Sequence, residues 1–323
     1  MLKAPKYSII IPVYNRPVEV RELLHSLTLQ TVRDFEVIIV EDGSSTCCDD
    51  VVDQFTDRLT LEYVIKANSG PGPSRNIGYA RARGSYFVVF DSDCIIQPKY
   101  FEAVDRALKF EKLDAWGGPD RAHQNFTTLQ QAMGYTMSSV LTTGGIRGGK
   151  KRMGQFQPRS FNMGISREVF EKTGGFKFDR LAEDIEFSIR MKKMGFHVGL
   201  VRDAFVYHKR RTSLKQFYRQ VSDFGRGRVL VGKAHPGEVK ITHWFPTAFI
   251  TGLLLIPFLW IAKPILATVA VVAYGVYVTA IFIDSWYLNK NLAVALLSIP
   301  SAFTQLTGYG VGFLKQWVKS YMR

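Results

Sequence analysis

Two carboxylates one residue apart, Asp91 and Asp93, interrupt the apolar run Val88-Val89-Phe90-Asp91-Ser92-Asp93-Cys94-Ile95-Ile96. A buried carboxylate is costly without a partner, and two close together repel one another. Such a pair belongs either at a solvated turn or where a cation or ligand binds. A third acid, Asp42, closes another apolar run in Val40-Glu41-Asp42-Gly43-Ser44-Ser45, and a third run leads into Pro12-Val13-Tyr14-Asn15. Each has an ordinary structural reading alone: Asp-Gly-Ser makes a turn, and an acid after a strand often caps a helix. Their recurrence at matching ends of three runs points to a shared site.

The runs themselves are Ser8 to Val13, Glu36 to Val40 and Tyr86 to Phe90, rich in β-branched residues. Continuous rather than alternating hydrophobicity is expected of parallel strands covered on both faces. Between the first two, Val20, Leu23, Leu24 and Leu27 give Pro17 to Gln30 a helical spacing, and Phe101, Val104 and Leu108 repeat it after the third. Alternating strands and helices imply an α/β domain built on a parallel sheet. Ligands of such sheets bind at the carboxyl ends of the strands, so the polar groups should converge on one crevice. No Gly-x-Gly-x-x-Gly or Gly-Lys-Ser/Thr loop follows the first strand, which argues against a dinucleotide oxidoreductase or a P-loop enzyme.

The 323 residues suffice for one large domain and an appendage. A net charge of +14 suggests an anionic partner: nucleic acid, a phosphorylated substrate or an acidic membrane surface. Three cysteines, two of them adjacent (Cys47, Cys48), give neither a disulfide framework nor a metal spacing, and Cys94 reads as an apolar filler. That usage fits a reducing compartment. The first strand starts within a few residues of Met1, so no signal peptide is expected.

Composition changes near His243. Trp244 to Ala262 and Pro264 to Ile283 carry no charge, and each is about the ~20 residues a helix needs to cross hydrocarbon. Two buried core helices are the alternative, but adjacent uncharged runs of this length are unusual in soluble domains. Leu292 to Leu314 is also uncharged, yet contains Pro300, Gln305, Gly308, Gly310 and Gly312. Just upstream, Arg202 to His243 holds ten Lys/Arg against three acids. Positive residues beside the first segment favour a cytoplasmic side and attract anionic headgroups. Interleaved Phe217, Tyr218 and Phe224 also suit nucleic acid, but membrane proximity makes lipid or pyrophosphate the better partner. Three spans would put Lys315, Lys319 and Arg323 outside, against the positive-inside tendency. Two spans and an interfacial third segment keep them inside, and that is the arrangement expected.

The chain resembles the inverting glycosyltransferases of family 2. The resemblance rests on Ser8-Ile9-Ile10-Ile11-Pro12-Val13-Tyr14-Asn15-Arg16, Leu29-Gln30-Thr31, Phe35 to Ser45, Gly72-Pro73-Ser74-Arg75-Asn76-Ile77-Gly78 and Phe90-Asp91-Ser92-Asp93. It continues through Asn162-Met163-Gly164-Ile165-Ser166-Arg167, Gly174-Gly175-Phe176 and Glu183-Asp184-Ile185-Glu186-Phe187, covering roughly residues 6 to 210. Each motif is weak alone; their order is not.

The resemblance implies a GT-A fold, a Rossmann-like and mostly parallel α/β sheet, here with C-terminal transmembrane helices. Domain boundaries are expected at 1–201 (catalytic), 202–243 (basic, interfacial) and 244–323 (membrane). It implies a nucleotide-diphosphate sugar donor and Mg²⁺ or Mn²⁺. Asp91-Ser92-Asp93 matches the family's Asp-x-Asp motif: Asp93 would bind the metal, and Asp91 would lie beside it, near the ribose or a metal-bound water. A hard divalent ion suits carboxylate and phosphate oxygens and stabilises the departing nucleoside diphosphate. Asp42 would hydrogen-bond the base, with Pro12, Tyr14 and Asn15 lining its pocket and Arg75 near base or diphosphate. Asp184 of the Glu183-Asp184 pair would be the base that inversion requires opposite the leaving group. Glu183 and Asn162-Met163-Gly164 would face the acceptor, and His208 is a candidate third metal ligand. Acids at a helix start also complement its dipole, the bland reading of Glu183-Asp184.

Processive relatives carry Gln-x-x-Arg-Trp after the acidic pair. Here Gln216-Phe217-Tyr218-Arg219-Gln220 lacks the Trp, so one-sugar transfer is expected. The acceptor implied is a hydroxyl of a lipid-linked glycan at the cytoplasmic membrane face, in envelope polysaccharide assembly, with no nucleic-acid role. The alternative is a polyprenyl-phosphate glycosyltransferase.

Overall fold

The computed structural model describes residues 4–121, 126–143, 156–208 and 211–322. The chain divides into two compact units: residues 1–123 with 156–209, and residues 124–155 with 210–323.

The first unit begins β1 (Tyr7–Val13), α1 (Pro17–Thr28), β2 (Phe35–Asp42), α2 (Asp49–Asp53), β3 (Leu61–Lys66), α3 (Pro71–Arg81) and β4 (Tyr86–Phe90). It continues with β5 (Cys94–Ile96), α4 (Tyr100–Glu111), β6 (Ala115–Gly117) and β7 (Asp120–Arg121). The chain then leaves for α5 (Thr128–Ser138) and α6 (Val140–Thr143) of the second unit. It returns as β8 (Asn162–Ser166), α7 (Arg167–Thr173), α8 (Glu183–Lys193), β9 (Val198–Leu200) and β10 (Val206–His208).

Seven strands form one sheet in the order β3-β2-β1-β4-β8-β6-β9. β3, β2, β1 and β4 are parallel. β8 runs against both β4 and β6, and β9 is parallel to β6. The sheet is therefore mixed rather than wholly parallel. A smaller sheet, β5-β10-β7, holds His208 opposite Cys94.

The unbroken apolar runs reflect burial on both faces. Ile9, Ile11, Val37, Ile39, Val88 and Phe90 pack on one face with Leu23, Leu24 and Leu27 of α1 and Phe101 of α4. Their alternates Ile10, Ile38, Val40, Phe87 and Val89 pack on the other with Tyr79, Met163, Ile165 and Phe187. Burying an aliphatic or aromatic side chain is worth roughly 1.5–3 kcal/mol, so these strands have little freedom to slip in register.

The second unit adds α9 (Leu214–Ala234), a short 3₁₀ turn (Ile241–Trp244), α10 (Phe245–Ala262), α11 (Pro264–Asn289) and α12 (Leu292–Tyr321) to α5 and α6. Three helical stretches, Ile241–Ala262, Pro264–Asn289 and Leu292–Tyr321, are long and apolar enough to cross a membrane. α9 and α12 approach closely because both carry glycine at the crossing. A Cβ on Gly225 would lie 2.2 Å from the Tyr309 carbonyl oxygen, and one on Gly312 would lie 2.2 Å from that of Ser222. Met133 of α5 packs with Phe217 and Val221 of α9.

Candidate functional site

The acids after β2 and β4 and the loop after β1 emerge at the carboxyl edge of the parallel strands, as the topology requires. Asn15 stands at φ 54°, a left-handed conformation that Asn tolerates better than most residues. Its Oδ1 accepts hydrogen bonds from the Ser45 and Thr46 amides at 2.8 and 3.0 Å. Its own amide donates to Ser44 Oγ at 2.7 Å. Asn15 thus fastens the loop after β1 to the loop after β2; of the residues just before it, Pro12 is half-buried and Tyr14 exposed.

Asp42 is buried at the end of β2. Its carboxylate accepts from the Ser69 and Gly70 amides at 2.8 and 2.9 Å and pairs with Lys66. Burial alone would raise its pKa, but Lys66 and the two amides outweigh that and hold it below the usual range. The residue expected to meet the base therefore also pins the connection between β3 and α3.

Arg75, on α3, lies at the centre. It is 2 % exposed, and its two terminal nitrogens donate to Asp91 and Glu183, each at 2.8 Å. Its guanidinium also sits 5.2 Å from the Phe176 ring centroid. Burial disfavours its charge, yet the Asp91 and Glu183 charges outweigh this and keep it protonated. One guanidinium thus joins the first acid of Asp91-Ser92-Asp93 to the first acid of Glu183-Asp184, 92 positions further along the chain.

Asp93 takes the other side. It accepts from Arg16 Nη1 at 2.6 Å, and its Oδ1 is 3.0 Å from His208 Nε2. The His208 ring stacks on Phe161. Burial works against the imidazolium, but the hydrogen bond to Asp93 and the charges of Asp93 and Asp91 raise its pKa overall. Ligand atoms of Asp93, Cys94 and His208 lie within 4.8 Å of one another. Cys94 is a poor partner for a hard ion: burial pushes its thiol well up, and Sγ is turned to the Phe161 carbonyl oxygen at 3.5 Å. A carboxylate and an imidazole remain, a donor pair that fits Mn²⁺ better than Mg²⁺, which favours oxygen ligands throughout. Asp91 is directed to Arg75 instead, and Ser92 is buried between the two acids.

The acidic pair opens α8. Ala182, at φ 58°, turns the chain into the helix, so Glu183 and Asp184 fall in its first turn. Burial pushes the Glu183 carboxyl up against the pull of Arg75, and the Asp184 charge adds to that push. Asp184 lies 3.6 Å from Arg159 Nη1 and keeps 16 % of its side chain exposed. Below it, Arg190 bonds Glu186 and donates to the Thr173 and Gly175 carbonyl oxygens at 2.7 and 2.6 Å. Asn76 brackets the Phe176 backbone with two 2.8 Å bonds. The Gly174-Gly175-Phe176 turn is thereby fixed beneath the acids.

Asn162, Met163 and Gly164, expected at the acceptor, are interior instead. Asn162 is fully buried, accepting from Tyr100 Oη at 2.7 Å and donating to the Ala204 carbonyl oxygen at 2.8 Å. Met163 packs in the core. Gly164 faces the Trp116 ring so closely that a Cβ would lie 2.1 Å from it. A central strand has no free face to offer. Conversely, Arg16 and Arg159 touch the acids without having been assigned roles. Arg16 belongs to a quoted motif, whereas no sequence signal marks Arg159.

The mixed sheet with acids at its carboxyl edge is the GT-A fold of nucleotide-diphospho-sugar transferases. The profile of Glycosyl transferase family 2 matches residues 8–174, slightly more than half of the chain. The chain belongs to that family. The probable glycosyltransferase YdaM of Bacillus subtilis is 28 % identical over 240 residues, 72 % of this chain and 57 % of the relative. The putative glycosyltransferase EpsH of the same organism is 36 % identical over 106 residues, 32 % of this chain and 31 % of the relative. The chain thus spans little more than half the length of the first and less of the second. Among solved structures, the mannosyltransferase PcManGT of Pyrobaculum calidifontis, in complex with GDP-Man and Mn²⁺, superposes with a TM-score of 0.63 at 18 % identity, covering 94 % of this chain and 88 % of that one. Residues 1–349 of TarS of S. aureus give a TM-score of 0.52 at 17 % identity, covering 98 % and 93 %.

Proposed function

We propose that this chain is a membrane-anchored, non-processive, inverting glycosyltransferase. It moves one sugar from a nucleotide-diphosphate sugar to a hydroxyl of a lipid-linked glycan at the cytoplasmic face. The observation that carries this reading is the double bridge of Arg75, which draws Asp91 and Glu183 together beside Asp93 and His208. Donor-side and acceptor-side acids then share one crevice. The mannosyltransferase neighbour, bound to GDP-Man and Mn²⁺, supports the donor class and the metal.

Asp93 and His208, with Asp91 alongside, would hold the divalent ion, which when bound neutralises charge on the departing diphosphate. Pro12, Tyr14, Asn15 and Asp42 receive the nucleotide. Asp184, partly exposed, takes the proton of the acceptor hydroxyl as its oxygen attacks the anomeric carbon. The bond from that carbon to the diphosphate oxygen breaks on the opposite face, so configuration inverts. Arg159 holds the Asp184 carboxylate in place. The missing Trp after Gln216 supports single transfer. The basic segment 202–243, beside apolar helices, supports a membrane-borne acceptor on the positively charged side.

Transfer assays on Asp184→Asn and Asp93→Ala test the assignment. Asp184→Asn is expected to lower turnover roughly 10²–10⁴-fold, the usual worth of a general base, with donor binding kept. Asp93→Ala is expected to lose metal-dependent transfer. Full activity in either variant removes the role given to that residue. A product carrying one sugar on a lipid monophosphate would replace the glycan acceptor by polyprenyl phosphate.

A further inference from the structure

Three C-terminal helices are long enough to cross a membrane, but their packing treats them differently. α10 and α11 form an antiparallel hairpin: Phe249 and Gly252 of α10 meet Tyr274 of α11. Among the described residues, the side-chain contacts of α12 with this hairpin gather toward one end, where Ala302 and Ile299 pack with Ile281 and Tyr277 of α11. Ser298 bonds Ser285 at 2.8 Å, and Phe303 packs on Phe249. Gly310 abuts Pro246 and Ile250 and accepts a hydrogen bond from Thr247. Phe313 and Trp317 then pack on Trp244.

The lengths decide the geometry. From Ser298 to Trp317, α12 extends about 28 Å at ~1.5 Å per residue. Its partners lie within Trp244–Ile250, at the start of α10, and Tyr277–Ser285 of α11, in the last turns of that helix. The α10 stretch is only about 9 Å long by the same rise. A helix running beside the hairpin as a third span would meet it over its whole length. The rest of the hairpin stays bare, with Leu254, Phe258, Ile261, Ile265, Val269 and Val272 exposed. α12 lies across the hairpin end.

A second observation sets the depth. No residue from Ser301 to Phe313 is exposed, because α9 covers this stretch through Gly308 against Val221 and Gly312 against Ser222. α9 itself exposes Lys215, Arg219, Arg226 and Lys233 at spacings that share one helix face. Four cations on one face do not lie in hydrocarbon, so α9 and the α12 packed on it sit at headgroup level. Trp244, Trp317 and Tyr321 cluster at the same end, as aromatic residues do at membrane–water interfaces.

We propose that α12 is an interfacial helix: α10 and α11 alone cross the bilayer, and α9 and α12 lie together at the anionic headgroups on the side from which α10 enters. The C-terminal tail then stays on the side of α9. This rests on the membrane attachment in the proposed function and not on its chemistry, so the two fail separately.

Single cysteines at exposed lysines test it in the full chain, with a membrane-impermeant maleimide applied to intact cells and to inverted membrane vesicles. The unsubstituted chain gives the background from Cys47, Cys48 and Cys94. Lys240→Cys and Lys319→Cys are expected to react from one side and Lys263→Cys from the other. Reaction of Lys319→Cys on the side of Lys263→Cys would establish three spans and overturn the proposal. Reaction of all three on one side would show that the hairpin does not cross, and would overturn it too.

Discussion

Arg75 carries one charge between two carboxylates in a nearly waterless position, and only a guanidinium offers two terminal nitrogens on one rigid plane to donate to separate acids. Removing one partner of a buried ionic set costs about 3–5 kcal/mol, because the others stay buried and unpaired. Arg75→Ala is therefore expected to lower unfolding free energy by about that amount in detergent, and Arg75→Lys, with one point charge for two acids, by less. Denaturant titration of both variants checks the order; equal stability of all three proteins would show that the bridge is not formed. Glu36 offers a second case with a defined pH dependence. Burial would raise its pKa, but Ser8, the Arg83 amide and the Arg83 side chain outweigh this and lower it. A carboxyl lowered by folding contributes stability above its ordinary range and loses it as pH falls through the folded value. Glu36→Gln should thus cost about 1–3 kcal/mol at neutral pH, with the gap to the native chain closing in acid. Melting curves between pH 7 and pH 3 measure it. At this scale Asp42, Asp91 and Asp93 were legible because acids that end apolar runs have few structural reasons to recur. Their partners were less so: Arg75 was marked by its motif but not its bridge to Asp91 and Glu183, and Arg16 and Arg159 look like any surface cation until the fold aims them.

Among the elements, β1, β2 and β4 announced themselves because burial on both faces makes the middle of each strand an unbroken apolar run. β3 did not, since it is the sheet edge and its residues are half-exposed, Leu61-Glu62-Tyr63-Val64-Ile65-Lys66. β8 was hidden by Asn162 and Gly164, which are interior for reasons supplied by Tyr100, Ala204 and Trp116, far away in sequence. The three glycines of α12 were visible, but their purpose was not. Gly308 and Gly312 admit α9 and Gly310 admits α10, so the helices touch backbone to backbone. Gly312→Val is expected to destabilise the protein by about 1–3 kcal/mol through overpacking. Gly275, on α11 with nothing within 4 Å of an added Cβ, is the matched control: Gly275→Ala should be neutral or slightly stabilising. Thermal melts of both compare them directly, and equal melting points would show that α9 and α12 are not in contact.

Across the whole molecule, the boundary between soluble and apolar residues was plain in composition, whereas the excursion of α5 and α6 into the second unit was not. Nothing local marks it, because Met133 finds Phe217 and Val221, and Tyr135 finds Asp284, only after folding. The bare apolar sides of α10 and α11 predict that high salt and alkaline carbonate leave the protein in the membrane pellet and that detergent releases it; release by salt would contradict bilayer insertion. The central claim is that Asp93 helps a metal hold a nucleotide-diphosphate sugar in the crevice. The most direct test is the melting temperature of purified protein across a panel of such sugars, with and without Mn²⁺, for the native chain and Asp93→Ala. Saturation at 100 times Kd stabilises a native state by about 2.7 kcal/mol. The expected result is a rise for at least one donor that requires Mn²⁺ and is lost in Asp93→Ala. A rise that needs no metal and persists in the variant, or none with any donor, would contradict it.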